Sequence, residues 1–189
     1  PCRGTRLGDT VLAAGSDARE NRCLLMDADR SLLSGTTPAN PLTIRDDVGI
    51  AAIAAADWDA LTGGKPLATH AFLRALHETG CAAPASGWSP CYLTAWRANA
   101  LVGALPLYAK AHSYGEYVFD WAWADAYHRY GRRYYPKLVV AIPFTPAPGQ
   151  RLFAADAAAG TALLRAALAR LQPAPGGGEP SFSSLHILF

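Results

Sequence analysis

A mixed α/β (α+β) fold, one central mixed sheet flanked by helices, is what this sequence predicts, on three observations. Periodic segments follow one another as β-α-α-β-β, then an aromatic-rich insert, then β-α-β. The last three segments have the length and order of a parallel strand–helix–strand crossover. With 51% apolar and only 17% charged residues, a chain of 189 residues can bury the core of an ordinary domain.

Each element has its own signal. Leu42-Thr43-Ile44-Arg45 alternates and is β-branched, so it reads as the first strand. Ile50, Ile53, Trp58 and Leu61 recur at near-helical spacing, and Gly63-Gly64 closes that helix. A second helix fits residues 69–78, with Thr69 as N-cap, Phe72, Leu73 and Leu76 on one face, and Gly80 at the C-terminal end. Residues 81–90, rich in Pro, Gly and Ser, read as a loop. Residues 92–97 and 101–110 read as two strands joined by Ala98-Asn99-Ala100. Residues 138–144 are Val- and Ile-rich, and Pro143 marks a bulge or a strand end. Residues 145–151 form a loop leading into a helix with Leu163, Leu164, Ala167, Leu168 and Leu171 on one face. A triple-glycine loop over residues 173–180 then precedes the last strand, residues 185–189.

The two ends are read differently from the middle. Residues 1–22 sustain no hydrophobic period, Met26 is the only methionine, and residues 1–40 are expected to be poorly structured, with the domain over residues 41–189. Ser184 to Phe189 stops inside an apolar strand-like run, which suggests a fragment whose continuation is missing; the alternative is a complete chain with a C-terminal edge strand.

Composition narrows the function classes. Seventeen Lys+Arg against fifteen Asp+Glu leave +2, too little for an electrostatically driven DNA or RNA binder. The longest apolar stretches are about a dozen residues and contain Pro, well short of the roughly twenty that a membrane helix needs. Cys2, Cys23, Cys81 and Cys91 have no zinc spacing and no signal peptide precedes them, so free thiols in a reducing cytoplasm are expected. The five histidines form no ligand pair, and no metal is expected.

Two stretches carry candidate chemistry. The loop with Thr145, Gly149, Gln150 and Arg151 reads as a strand-to-helix connection, where free helix N–H groups suit an anion such as a pyrophosphate; the alternative is an ordinary connection. It contains no Walker or dinucleotide-binding pattern. Residues 114–135 hold nine of the nineteen aromatic residues, with His112, Tyr114, Glu116, Asp120, Asp125, His128 and Lys137 as polar members in and around the block. Carboxylates among aromatic rings acquire raised pKa values and can take a proton from an amine, which singles out Glu116 and Asp120. His112, Tyr114, Trp121, Trp123, Tyr135 and Lys137 would surround a substrate. The alternative is a core helix whose carboxylates cap it or pair with Arg129, Arg132 and Arg133.

The run from His112 through Asp120-Trp121-Ala122-Trp123 to Tyr127, with Tyr134-Tyr135-Pro136-Lys137-Leu138, Pro143-Phe144-Thr145-Pro146 and residues 184–189, resembles the bacterial FemAB-like predicted N-acyltransferases, placed in the GNAT superfamily. The resemblance covers roughly residues 42–189. It implies two GNAT-like halves, of which this chain holds the first, and transfer of an acyl group to an amine, on a cell-envelope precursor such as that of peptidoglycan. It also implies acyl-CoA as donor, with its pyrophosphate at Thr145, Gly149, Gln150 and Arg151, or aminoacyl-tRNA. The loop departs from the usual CoA-binding pattern. On this reading Glu116 or Asp120 is the base, backbone N–H groups near residues 142–144 polarise the carbonyl, and Trp121, Trp123 and Tyr135 line the acceptor pocket. The rival reading is a non-catalytic module that binds a glycan or peptide through an aromatic cleft.

Overall fold

A computed structural model of the protein describes residues 40–173 and 180–189. The expectations for residues 1–39, Cys2 and Cys23 included, and for the three glycines of the 174–179 loop lie outside the described residues.

The fold is mixed α+β. Its backbone is one long hairpin: β2 (Trp88–Pro90) and β3 (Leu93–Arg97) run antiparallel to β4 (Ala100–Leu105) and β5 (Leu107–Lys110). Trp88 faces Lys110, Pro90 faces Tyr108, Leu93 faces Leu105 and Ala95 faces Gly103, so the register passes unchanged across residues 91–92 and Pro106. The expected single sheet is divided here. One sheet has the order β1-β3-β4-β7 and the other β2-β5-β6-β8, with β1 at Leu42–Arg45, β6 at Lys137–Val140, β7 at Phe153–Ala154 and β8 at Leu185–Ile187. Pro106 sits where the two separate. Its carbonyl accepts from Ala141 N–H at 3.3 Å but it has no N–H to return, so the β5–β6 ladder, in which Val140 is opposite Leu107, closes there and β7 takes over beside Gly103 and Ala104. The strand expected over residues 138–144 therefore ends early. Residues 141–152 leave one sheet and rejoin the other.

Helices cover both faces, and strand alternation decides which residues meet them. Leu93, Ala95, Leu105, Leu107, Leu138 and Val140 pack with Leu163 of α4 (Ala157–Ala169). Tyr92, Tyr108 and Val139 point the other way, toward Trp58 of α1 (Ala55–Thr62) and Leu73 of α2 (His70–Glu78). Gly103 is where α4 comes closest: a Cβ there would lie 2.9 Å from Leu163 Cδ1. The crossover expected at the C-terminal end is present, because β6 and β8 pair in parallel with α4 between them.

Several local expectations are corrected. The first helix is split into a single 3-10 turn at Ile50–Ala52 and α1. Residues 81–90 are not all loop, since they include a 3-10 turn and β2. Loop 145–151 does not run directly into a helix: β7 intervenes, and α4 is capped by Asp156, whose carboxylate accepts from Ala159 N–H and pairs with Arg97 at 2.5 Å. On α4, Leu168 is exposed rather than part of the buried face. In the aromatic block only α3 (Trp121–Arg129) is helical, because Gly115 and Tyr117 before it have positive φ.

Candidate active site

The second sheet carries a row of side chains that an ordinary core does not tolerate. Lys110 on β5 lies directly opposite Lys137 on β6, and both share the inward face with Tyr108 and Val139. Both lysines are fully buried. Two like charges facing each other across a pair of strands are stable only with counter-charges, and residues 113–120, folded over the end of the sheet, supply them. Lys137 Nζ donates to Glu116 Oε2 at 2.7 Å and makes a second, shorter contact with Asp120 Oδ2. Tyr134 OH donates to the same Asp120 oxygen at 2.9 Å, and His186 Nε2 lies 2.9 Å from Ser184 Oγ and 3.4 Å from Tyr134 OH. Lys110 Nζ donates to Tyr114 O at 3.0 Å and stands 3.8 Å above the Trp88 ring.

The two carboxylates titrate in opposite directions. Burial raises the proton affinity of Glu116, and the opposing pull of Lys137 does not cancel it. Burial acts on Asp120 too, but hydrogen bonds from Lys137 and Tyr134 outweigh it and hold that carboxyl below its usual range. Burial brings Lys110 down to about 8, with Glu116 opposing the shift and Lys137 adding to it. Glu116 Oε1 is buried and has no hydrogen-bond partner; Trp88 Nε1 and Arg151 Nε are in the same condition.

The expected site residues fall into three groups. Glu116, Asp120 and Lys137 meet in the cluster, and Tyr135 adjoins it through a 2.6 Å hydrogen bond between its hydroxyl and Ser113. His112, Tyr114 and Trp121 form a string of rings beside it, with centroids 5.1 and 6.4 Å apart. Trp121 and Trp123 are 58% and 63% exposed, and Tyr135 lines a groove of about 380 Å3 with Tyr127, Arg132, Arg133 and Phe182. Thr145, Gly149, Gln150 and Arg151 are held within their own loop and its neighbours. Thr145 N–H bonds Ile142 O, Gly149 N–H bonds Phe189 O, Gln150 accepts from Lys65, and Arg151 donates to the carbonyls of Ala147 and Gln150. Tyr134 and His186 lie in the stretches that carry the family resemblance but have no role assigned from the sequence, and Lys110 lies outside those stretches. The available signal for Lys110 was its parity: it is two residues beyond Tyr108, on the inward side of a strand.

The family model for FemAB-like proteins, described as peptidoglycan biosynthesis/recognition, matches residues 49–189, a span that holds the whole charged cluster. The chain belongs to the FemAB-like family. No curated protein and no solved structure matches it significantly. As a FemAB-like protein it is tied to peptidoglycan biosynthesis or recognition. Among the described residues, no helix is long and apolar enough to cross a membrane, and no group of His, Cys, Asp and Glu could hold a metal ion.

Proposed function

We propose that this FemAB-like protein transfers an acyl or aminoacyl group to an amine of a peptidoglycan precursor, with Glu116 as general base. The observation that carries the reading is the Glu116 carboxylate: one oxygen is fixed by Lys137, the other is buried without a partner, and its proton affinity is raised. The acceptor ammonium first releases a proton to solvent, and the nitrogen lone pair attacks the donor carbonyl carbon. As the C–N bond forms, the second proton passes to Glu116 Oε1. Collapse of the oxyanion breaks the C–S or C–O bond, and Glu116 returns the proton to the leaving thiolate or alkoxide. Asp120, held by Lys137 and Tyr134, is a positioning residue. The donor is acyl-CoA, for which Gln150 and Arg151 are the first targets, or aminoacyl-tRNA, and the reaction belongs in the cytoplasm, where both are made.

Glu116→Gln is expected to lower turnover about 10²- to 10⁴-fold with peptidoglycan-derived amine acceptors, and Asp120→Asn to lower it less. Unchanged turnover in Glu116→Gln removes the assignment. A rise in melting temperature with acetyl-CoA supports the CoA donor, and its absence favours aminoacyl-tRNA.

A second reading has an observation of its own. Tyr114, Phe119 and Trp121 form an exposed run of neighbouring rings beside the site, and such rings stack on sugar faces. A recognition module would bind muropeptides through them without any donor, and Trp121→Ala would weaken that binding.

A further inference from the structure

Among the described residues, two of the three unpartnered buried polar atoms belong to residues that adjoin Gly115, and they are complementary. Trp88 Nε1 can only donate, and the second oxygen of an ionised Glu116 can only accept; both residues are at most 2% exposed. A Cβ built on Gly115, the residue before Glu116, would lie 3.1 Å from Trp88 Nε1 and 2.5 Å from the Phe144 ring. The indole N–H, the Phe144 ring and the backbone that leads into Glu116 thus meet at Gly115. Phe144 has a positive φ of 58°, an unfavourable backbone for a residue with a side chain, and its ring is 41% exposed while packing 5.6 Å from Trp88. That placement sets the Phe144 ring against Gly115 and beside the Trp88 indole. Leaving both a donor and an acceptor unpaired costs stability, and sites that persist with such atoms generally use them.

The pair matches the two polar groups of a secondary amide. An amide N–H fits the carboxylate oxygen, and the amide C=O fits the indole N–H. Lys110, 3.8 Å above the Trp88 ring, draws electron density from the indole and strengthens its N–H as a donor. Of the backbone donors expected near residues 142–144, Pro143 supplies none, because it has no N–H.

The geometry points to an amide-binding subsite beneath Phe144, in which Trp88 Nε1 holds the carbonyl oxygen and Glu116 Oε1 the nitrogen. The inference rests on the transferase reading and adds to it. The acyl oxygen of the forming amide faces Trp88, and Phe144 must swing outward before either substrate reaches Glu116.

The test uses the full chain with 15N-labelled tryptophan. Trp88 is assigned among the five indole N–H resonances by its loss in Trp88→Phe. The probe is N-methylacetamide, which carries one N–H, one C=O and no charge. A saturable shift of the Trp88 resonance that leaves Trp58 and Trp96 in place is expected. Phe144→Gly, which removes the ring and relieves the backbone, is expected to tighten that response at least threefold and to speed solvent exchange of the Trp88 N–H at least tenfold. A Trp88 resonance that the amide moves in neither protein overturns the subsite, and exchange unaffected by Phe144→Gly overturns its placement beneath Phe144. An amide-induced shift in a protein that transfers no acyl group keeps the subsite and removes the transferase reading. Transfer in a protein whose Trp88 resonance never responds does the reverse.

Discussion

Individual side chains set the chemistry through what they are denied. Lys137 holds two carboxylates, so Lys137→Met would leave Glu116 and Asp120 buried with Lys110 as the remaining lysine nearby. That substitution is expected to cost about 3–5 kcal/mol in denaturant unfolding, the usual result of breaking a buried pair from one side. Lys110 makes a different prediction. Its folded-state value of about 8 lies below its ordinary 10.5. Between those values the unfolded chain binds a proton that the folded chain has released, so this residue makes stability rise with pH over that window; the burden of the buried charge is complete below it. Lys110→Met should remove that rise, read as melting temperature against pH from 7.5 to 10, and an unchanged slope would deny Lys110 its burial cost. Much of this was hidden in the sequence. Glu116 and Asp120 stood out as acids among aromatic rings, but their shared partner is 17 to 21 residues away. No local pattern encodes which of them is left with a free oxygen.

At the scale of elements, caps and turns were legible because their causes are local. Thr69 accepts from Phe72 N–H at 3.3 Å, as its position before an apolar run implied, and Gly63 ends α1 with a φ of 68°. The hairpin turn expected over Ala98-Asn99-Ala100 is shorter by one residue, since Ala100 already pairs with Arg97, and it carries an unfavourable residue, Ala98 at a φ of 52°. Ala98→Gly should raise stability by about 0.5–1 kcal/mol, measured by denaturant unfolding, because glycine occupies that region without the Cβ clash. A stability decrease would mean that the gain in unfolded-state freedom outweighs the relieved strain. The aromatic block was the least legible element. Helical spacing can place Tyr117, Trp121, Trp123, Tyr127 and Tyr130 on a helix, but α3 holds only Trp121, Trp123 and Tyr127: Tyr117 has a positive φ in the loop that delivers Glu116 and Asp120, and Tyr130 follows the last helical residue.

For the molecule as a whole, the decisive feature is that two sheets share one hairpin. Leu105 and Leu107 flank Pro106, are fully buried, and tie both sheets to the cluster under α4. Leu105→Ala is therefore expected to cost about 2–5 kcal/mol and to shift the loss of near-ultraviolet and far-ultraviolet circular dichroism together. Separate transitions would show that the sheets unfold independently. The sequence alone determined the class of fold, most of the helices and strands, the parallel crossover of β6 and β8, and the family resemblance that its match over residues 49–189 bears out. Periodicity, capping and turn chemistry act over a few residues, so a linear reading reaches them. Tertiary structure alone decided that the sheet divides at Pro106, that Lys110 meets Lys137 and that Phe144 packs against Trp88 and Gly115. Those outcomes depend on strand pairing and burial between residues far apart in the chain, where the energy of a side chain is set by neighbours that its local sequence does not name.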